Sequence, residues 1–383
     1  MSGTHDIRKT TCAGTAEGHA DRVTRSASSP SSLRPPLIPA HGGQVSAIMR
    51  HFPDATRPFI DLSTGINPDA YPLRMPPPGS LTRLPEEEDD HALREAAAIA
   101  YGAAAPDMIA TGPGSQSLIS LLPRLVPAPR ACLWEPTYSG HATSWQQAGA
   151  TLQHVSDLAS FMREAAREST ACILCNPNNP DGRILPATQL RELADLCASH
   201  GNHLVVDEAF ADFDAESLIP VLPHPGLIIL RSFGKTWGLP GVRLGFLLAS
   251  PETAEQARNL VGAWPVSTLA LAVGGQALRD REWLDRARLT ASQAKNRLVG
   301  LLDRTGLRSE GQASLFTLVR TDRATDLWTH LCRHGIITRL FSTESDSLRL
   351  GLPGAEEAWQ RLEAVLAEWR QQAPLSPGAH TDD

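Results

Sequence analysis

Between about residues 90 and 250 the chain alternates short apolar runs with segments of helical periodicity, and few architectures accept that rhythm. The runs at 131–134, 171–175, 204–206, 227–230 and 244–248 are apolar throughout and no longer than five residues. Strands that are apolar on both sides belong in a sheet covered on both faces. Helix-like stretches at 90–101 and 115–125, with helical or loop sequence between the later runs, supply the cover. The pattern predicts an α/β domain whose central sheet is mostly parallel and flanked by helices. After residue 300 the rhythm changes. A strand at 314–319, a helix at 325–334 closed by Gly335, a strand at 347–352 and a helix at 356–370 predict a smaller α+β C-terminal domain. A helix at 283–302 would join the two.

A length of 383 residues suits one large and one smaller domain. Residues 1–35 are rich in Ser, Thr, Ala and Gly without hydrophobic periodicity, which predicts a disordered tail. The expected division is this tail, an arm at 36–80 that joins the small domain, a large domain at 81–300 and the small domain at 301–383. A net charge of -7 offers no basic surface to nucleic acid. No run of eighteen apolar residues predicts a membrane span. The first residues lack the apolar stretch of a secretory signal, so a cytoplasmic location is expected. Cys172 and Cys175 form a C-x-x-C, but they lie in an apolar run that reads as a buried strand. Neither a second such pair nor a nearby histidine pair completes a metal site, so buried thiols and no metal are expected.

Ligands of open α/β sheets collect beyond the carboxyl ends of the strands. In this chain those positions hold residues 176–182, Asp207 and residues 232–235. Of 35 lysines and arginines only three are lysines: Lys9 in the tail, Lys295 on what reads as a solvated helix, and Lys235. Lys235 stands in Ser-Phe-Gly-Lys-Thr-Trp-Gly-Leu-Pro-Gly-Val-Arg-Leu-Gly. Arginine cannot lose its proton to become an amine nucleophile, whereas lysine can. Ser232 and Arg243 flank it with a hydroxyl and a fixed cation, a pair suited to phosphate. Gly112-Pro113-Gly114 leads into Ser115, Gln116 and a helix whose free N–H groups can hold an anion. Asp207 closes an apolar strand, where an acid is either paired or a cap. Taken singly, each feature also has an ordinary reading as a loop lysine, a turn or a helix cap.

Together these residues resemble the fold-type I pyridoxal-phosphate (PLP) enzymes of the class I/II aminotransferase family, over roughly residues 38 to 370. The most specific part is Ser232-x-x-Lys235 with Arg243 eight residues on. The resemblance implies a fold-type I architecture and PLP as cofactor. It implies Lys235 as the Schiff-base lysine and proton shuttle, and Asp207 as partner of the pyridine nitrogen. It places Tyr138 on the ring face, Asn179 at the ring oxygen and in substrate contact, and Ser115, Gln116, Ser232 and Arg243 at the phosphate. Arg349 would bind the substrate carboxylate. A homodimer with sites at the subunit boundary is also implied.

His41-Gly42-Gly43-Gln44, Asp61-Leu-Ser-Thr-Gly-Ile-Asn-Pro68, Arg83-Leu-Pro85 and Ala263-Trp264-Pro265-Val266-Ser267 are similar to the cobalamin-pathway branch, the threonine-phosphate decarboxylases. That branch converts O-phospho-L-threonine to (R)-1-amino-2-propanol O-phosphate, and it implies substrate contacts from His41, Gly42, Arg339 and Arg349. Two positions depart from the pattern. Phe210 stands where many aminotransferases carry Tyr, and Gly65 stands where the decarboxylases often carry Asn. Two other readings stay open. One is an aminotransferase acting on a phosphorylated amino acid such as histidinol phosphate. The other is a non-catalytic partner protein in linker attachment to the corrin ring.

Overall fold

A computed structural model of the protein describes residues 41–214, 216–341 and 346–372. The tail expected at 1–35, with Lys9 and Cys12, lies outside the described residues. A two-residue strand, β1 (Ile60–Asp61), precedes seven strands that form one sheet. These are β2 (Ile109–Gly112), β3 (Arg130–Trp134), β4 (Thr151–Val155), β5 (Thr170–Cys175), β6 (His203–Asp207), β7 (Leu227–Ser232) and β8 (Gly245–Leu248). Their spatial order is β2-β8-β7-β6-β5-β3-β4. Only β8 runs against its neighbours; β7, β6, β5, β3 and β4 pair in parallel.

Side chains of a strand point alternately to opposite faces, and here both faces are dry. Leu204 and Val206 join the core on one side with Leu93, Phe161 and Phe246. Val205 joins the core on the other side with Leu118, Trp145 and Leu247. That burial is why the strand sequences are uninterrupted apolar runs. The exception is edge strand β4, whose Thr-Leu-Gln-His-Val is only partly buried and escaped the apolar-run pattern. Helix Ser115–Leu125 has the bounds expected from sequence, and helix Glu87–Tyr101 starts three residues earlier than expected. A capping box between Glu86 and Asp89 explains that earlier start, because it satisfies amide groups of the first turn.

The C-terminal part has its own sheet of β9 (Arg308–Glu310), β10 (Phe316–Arg320), β12 (Arg339–Leu340) and β13 (Ser347–Gly351), ordered β12-β13-β10-β9 and antiparallel. Strand β11 (Ile336–Ile337) pairs instead with β1, which brings residues 60–62 beside this sheet. Its core holds Phe316, Trp328, Leu362 and Trp369. The joining helix spans Arg281–Arg304. Lys295 on that helix corrects the sequence expectation. It is 8% exposed rather than solvated, and its Nζ donates to Phe316 O at 2.6 Å. The five described cysteines are all buried and free. No helix among the described residues is long and apolar enough to cross a membrane.

Candidate active site

The carboxyl ends of β2, β3, β5, β6 and β7, with the entry to reversed β8, surround one cavity of about 240 Å³. Its lining includes Ser115, Gln116, Tyr138, Asn179, Asp207, Ser232, Lys235 and Arg243, every residue that the sequence assigns to a cofactor. The register explains the convergence. Gly112, Gly245 and Ser232 lie side by side across β2, β8 and β7, so the loops that follow or precede them share one rim. A Cβ on Gly114 would run into the Arg243 guanidinium, and one on Gly245 into the backbone of Ser115. The glycines let an arginine, a strand and a helix start close around a single point. Helix Ser115–Leu125 has no side-chain cap, so its first-turn amides and the positive end of its dipole face that point.

Asp207 ends β6 at 4% exposure. His141 Nε2 donates to its Oδ2 at 2.9 Å, and Ala209 N donates to its Oδ1 at 3.1 Å. His141 is fully buried, and its Nδ1 has no hydrogen-bond partner. Behind Asp207, buried Arg231 on β7 bonds Glu208 at 2.9 Å and Asp212 at 2.6 Å, which ties the ends of β6 and β7 together. Tyr138 donates its hydroxyl to Gln116 Oε1 at 2.7 Å, and burial raises its pKa.

Lys235 keeps some exposure to the cavity, and its Nζ donates to Thr64 O at 3.3 Å. Burial first and the Arg349 guanidinium second lower its pKa to about 8, against a pull upward from Asp207. The protein therefore holds an amine that is partly neutral near physiological pH, as a carbonyl-attacking nucleophile requires.

Above Lys235 opens a wider cavity of about 850 Å³ that also touches His41, Gly42, Tyr138, Asn179, Arg339 and Arg349. Arg339 and Arg349 are opposite each other across β12 and β13. Arg349 donates from Nη2 to Ser63 O at 2.7 Å and from Nη1 to Asn179 Oδ1, while its Nε has no partner. Burial first and Arg339 second lower the Arg349 pKa to about 10. Among the described residues, the side chains that line this cavity with the arginines include the carboxylates of Asp61 and Glu135. That of Asp61 already accepts from Ser63 N at 2.8 Å.

All twelve sequence-assigned residues thus line these two cavities, which share Tyr138, Asn179 and Lys235. Sequence reasoning missed His141. It is one of 13 histidines, and only its burial against Asp207 marks it out. Asp61 lay within a quoted motif, but nothing in the sequence showed that its carboxylate opens on the arginines.

The donor set fits PLP on chemical grounds. A buried carboxylate backed by a histidine suits a protonated pyridine nitrogen, and an uncapped helix start with an arginine suits a phosphate. A depressed lysine suits an aldehyde. Residues 78–362 match the family model for aminotransferase class I and II. The chain belongs to that family. It is a PLP-dependent enzyme. It is 36% identical to a threonine-phosphate decarboxylase of Pseudomonas aeruginosa, over 87% of this chain and 98% of that relative. It is 31% identical to histidinol-phosphate aminotransferase 1 of Bradyrhizobium diazoefficiens, over 77% of this chain and 85% of that one. The crystal structure of histidinol-phosphate aminotransferase from Sinorhizobium meliloti in complex with pyridoxal-5'-phosphate has the same fold. Its TM-score is 0.75 at 23% identity, covering 90% of this chain and 99% of that one.

Proposed function

We propose that this enzyme decarboxylates O-phospho-L-threonine to (R)-1-amino-2-propanol O-phosphate, in the making of the cobalamin linker. The observation that carries the reading is the pair of half-buried to buried arginines, Arg339 and Arg349, beside the Lys235 amine in one cavity. Two such cations suit a small substrate bearing both a carboxylate and a phosphate. The likeness to threonine-phosphate decarboxylases over nearly their whole length supports the same reading.

PLP supplies an electron sink for the pair released when a bond to the substrate Cα breaks. The chain's own residues do the rest. Asp207, oriented by His141, would hold positive charge at the ring nitrogen. Ser115, Gln116, Ser232, Arg243 and the helix start would hold the phosphate. Tyr138 would pack against the ring, and Asn179 would bond the ring oxygen. Arg349, Arg339, His41 and Gly42 orient the substrate's anionic groups. The orientation that these residues impose on the substrate would decide which bond to Cα breaks. Lys235 delivers the proton to Cα after carbon dioxide leaves.

The second reading is amino transfer from a phosphorylated substrate such as histidinol phosphate, and the 31% identity to such an aminotransferase favours it. Incubation with PLP and O-phospho-L-threonine, with the product identified by mass, separates the two. Formation of the amine phosphate supports decarboxylation. Turnover only with histidinol phosphate and 2-oxoglutarate overturns it. We also propose a cytoplasmic homodimer, in which exposed Leu81, Leu84 and Trp264 are covered.

A further inference from the structure

We propose that Gly65, Phe210 and Phe316 act as one positioning unit that sets the separation of Lys235 and Arg349. The proposal rests on the reading of Lys235 as the cofactor-bearing amine.

Two consecutive backbone carbonyls take the two cations. Ser63 O accepts from Arg349 Nη2 at 2.7 Å, and Thr64 O accepts from Lys235 Nζ at 3.3 Å. Two touching rings take the same two cations. Lys235 Nζ lies 5.2 Å from the centre of the Phe210 ring, and the Arg349 guanidinium 5.0 Å from that of Phe316. Aromatic faces attract cations at this range. The rings meet edge to face with centroids 4.9 Å apart.

Gly65 closes the figure. A Cβ there would lie 3.1 Å from Phe316 Cδ1 and 3.3 Å from Phe210 Cε1, tighter than ordinary contact. Its φ of +61° adds a backbone preference for glycine. With both rings in place, no side chain at position 65 fits without displacing one of them. The two departures read in the sequence are therefore one feature. Phe210 follows β6 of the central sheet, and Phe316 opens β10 of the smaller sheet, so the ring contact also bridges the sheets.

The rings hold residues 63–65 in place, and those residues hold both cations. The spacing of amine and carboxylate-binding arginine matters chemically, because an error of about 1 Å in the reacting geometry can cost about 100-fold in rate.

The test is a double-mutant cycle on the holoenzyme with Gly65→Asn and Phe316→Leu. Asparagine tolerates positive φ, so the change reports mainly on space. Cofactor content is measured first. The readouts are KM and kcat for O-phospho-L-threonine, and the pH midpoint of the visible band of the lysine-bound cofactor. Gly65→Asn is expected to raise KM about tenfold with a smaller loss in kcat, and to move the midpoint. Adding Phe316→Leu should restore both toward the values of Phe316→Leu alone, a coupling of about fivefold or more. Phe210→Leu, which removes the ring beside Lys235, should also move the midpoint. Effects that multiply without coupling, or a midpoint common to all variants, overturn the unit while leaving Lys235 in its role. A wild-type holoprotein without the band overturns the reading of Lys235 and this proposal with it.

Discussion

The depressed Lys235 amine makes a quantitative prediction about cofactor uptake. Burial and Arg349 lower its pKa from 10.5 to about 8. Only the neutral amine attacks an aldehyde. At about pH 7.5 an amine of pKa about 8 is roughly one quarter neutral, whereas an unperturbed lysine is about one part in a thousand neutral. Apoenzyme should therefore take up PLP on the order of 200-fold faster than an ordinary lysine in the same geometry would allow. The direction follows from the sign of the shift. A lowered pKa moves the neutral form to lower pH, so the uptake rate should climb through about pH 8 and then level off. Stopped-flow absorbance of apoenzyme mixed with PLP measures it, with a free primary amine in parallel to report the aldehyde's own pH response. Arg349→Gln removes the second-largest cause of the shift and should move the midpoint upward. A wild-type rate that keeps rising tenfold per pH unit to about pH 10 would refute the reasoning.

His141→Ala leaves Asp207 Oδ2 without its donor; a lost charged hydrogen bond of about 1.5–3 kcal/mol should weaken PLP binding about 10- to 100-fold, as read by fluorescence titration. In Arg349→Gln, loss of the carboxylate contact should cut kcat/KM about 100- to 1000-fold, while Lys→Arg at position 235, which cannot form the amine, should abolish turnover with the fold intact by circular dichroism. Lys295→Ala strips the donor from buried Phe316 O and should destabilise the protein by about 2–4 kcal/mol in urea unfolding, with PLP still bound.

The apolar runs made the central strands legible because both faces of the sheet are dry, and Leu204, Val205 and Val206 feed cores on opposite sides. Edge strand β4 is half polar, and β1 and β11 are two residues long, so none had a period to read. Lys235 was legible because lysine is scarce in a chain that otherwise uses arginine. Lys295 was misread for the reverse reason. It sits among polar helix neighbours, and only the tertiary fold turns it onto the carbonyl of Phe316. His141 carries no local signal at all, since its meaning lies in Asp207, 66 residues away. Gly65 and Phe210 showed as departures in the sequence, but their contact with Phe316 belongs to the folded chain.

The most direct test of the central claim follows the carboxyl carbon. O-phospho-L-threonine labelled with carbon-13 in its carboxyl group is incubated with the holoenzyme, with and without 2-oxoglutarate. The account predicts that the label leaves as carbon dioxide, one for each amine phosphate formed, and that the 2-oxo acid makes no difference. Label retained in an organic product that forms only when 2-oxoglutarate is present would contradict it.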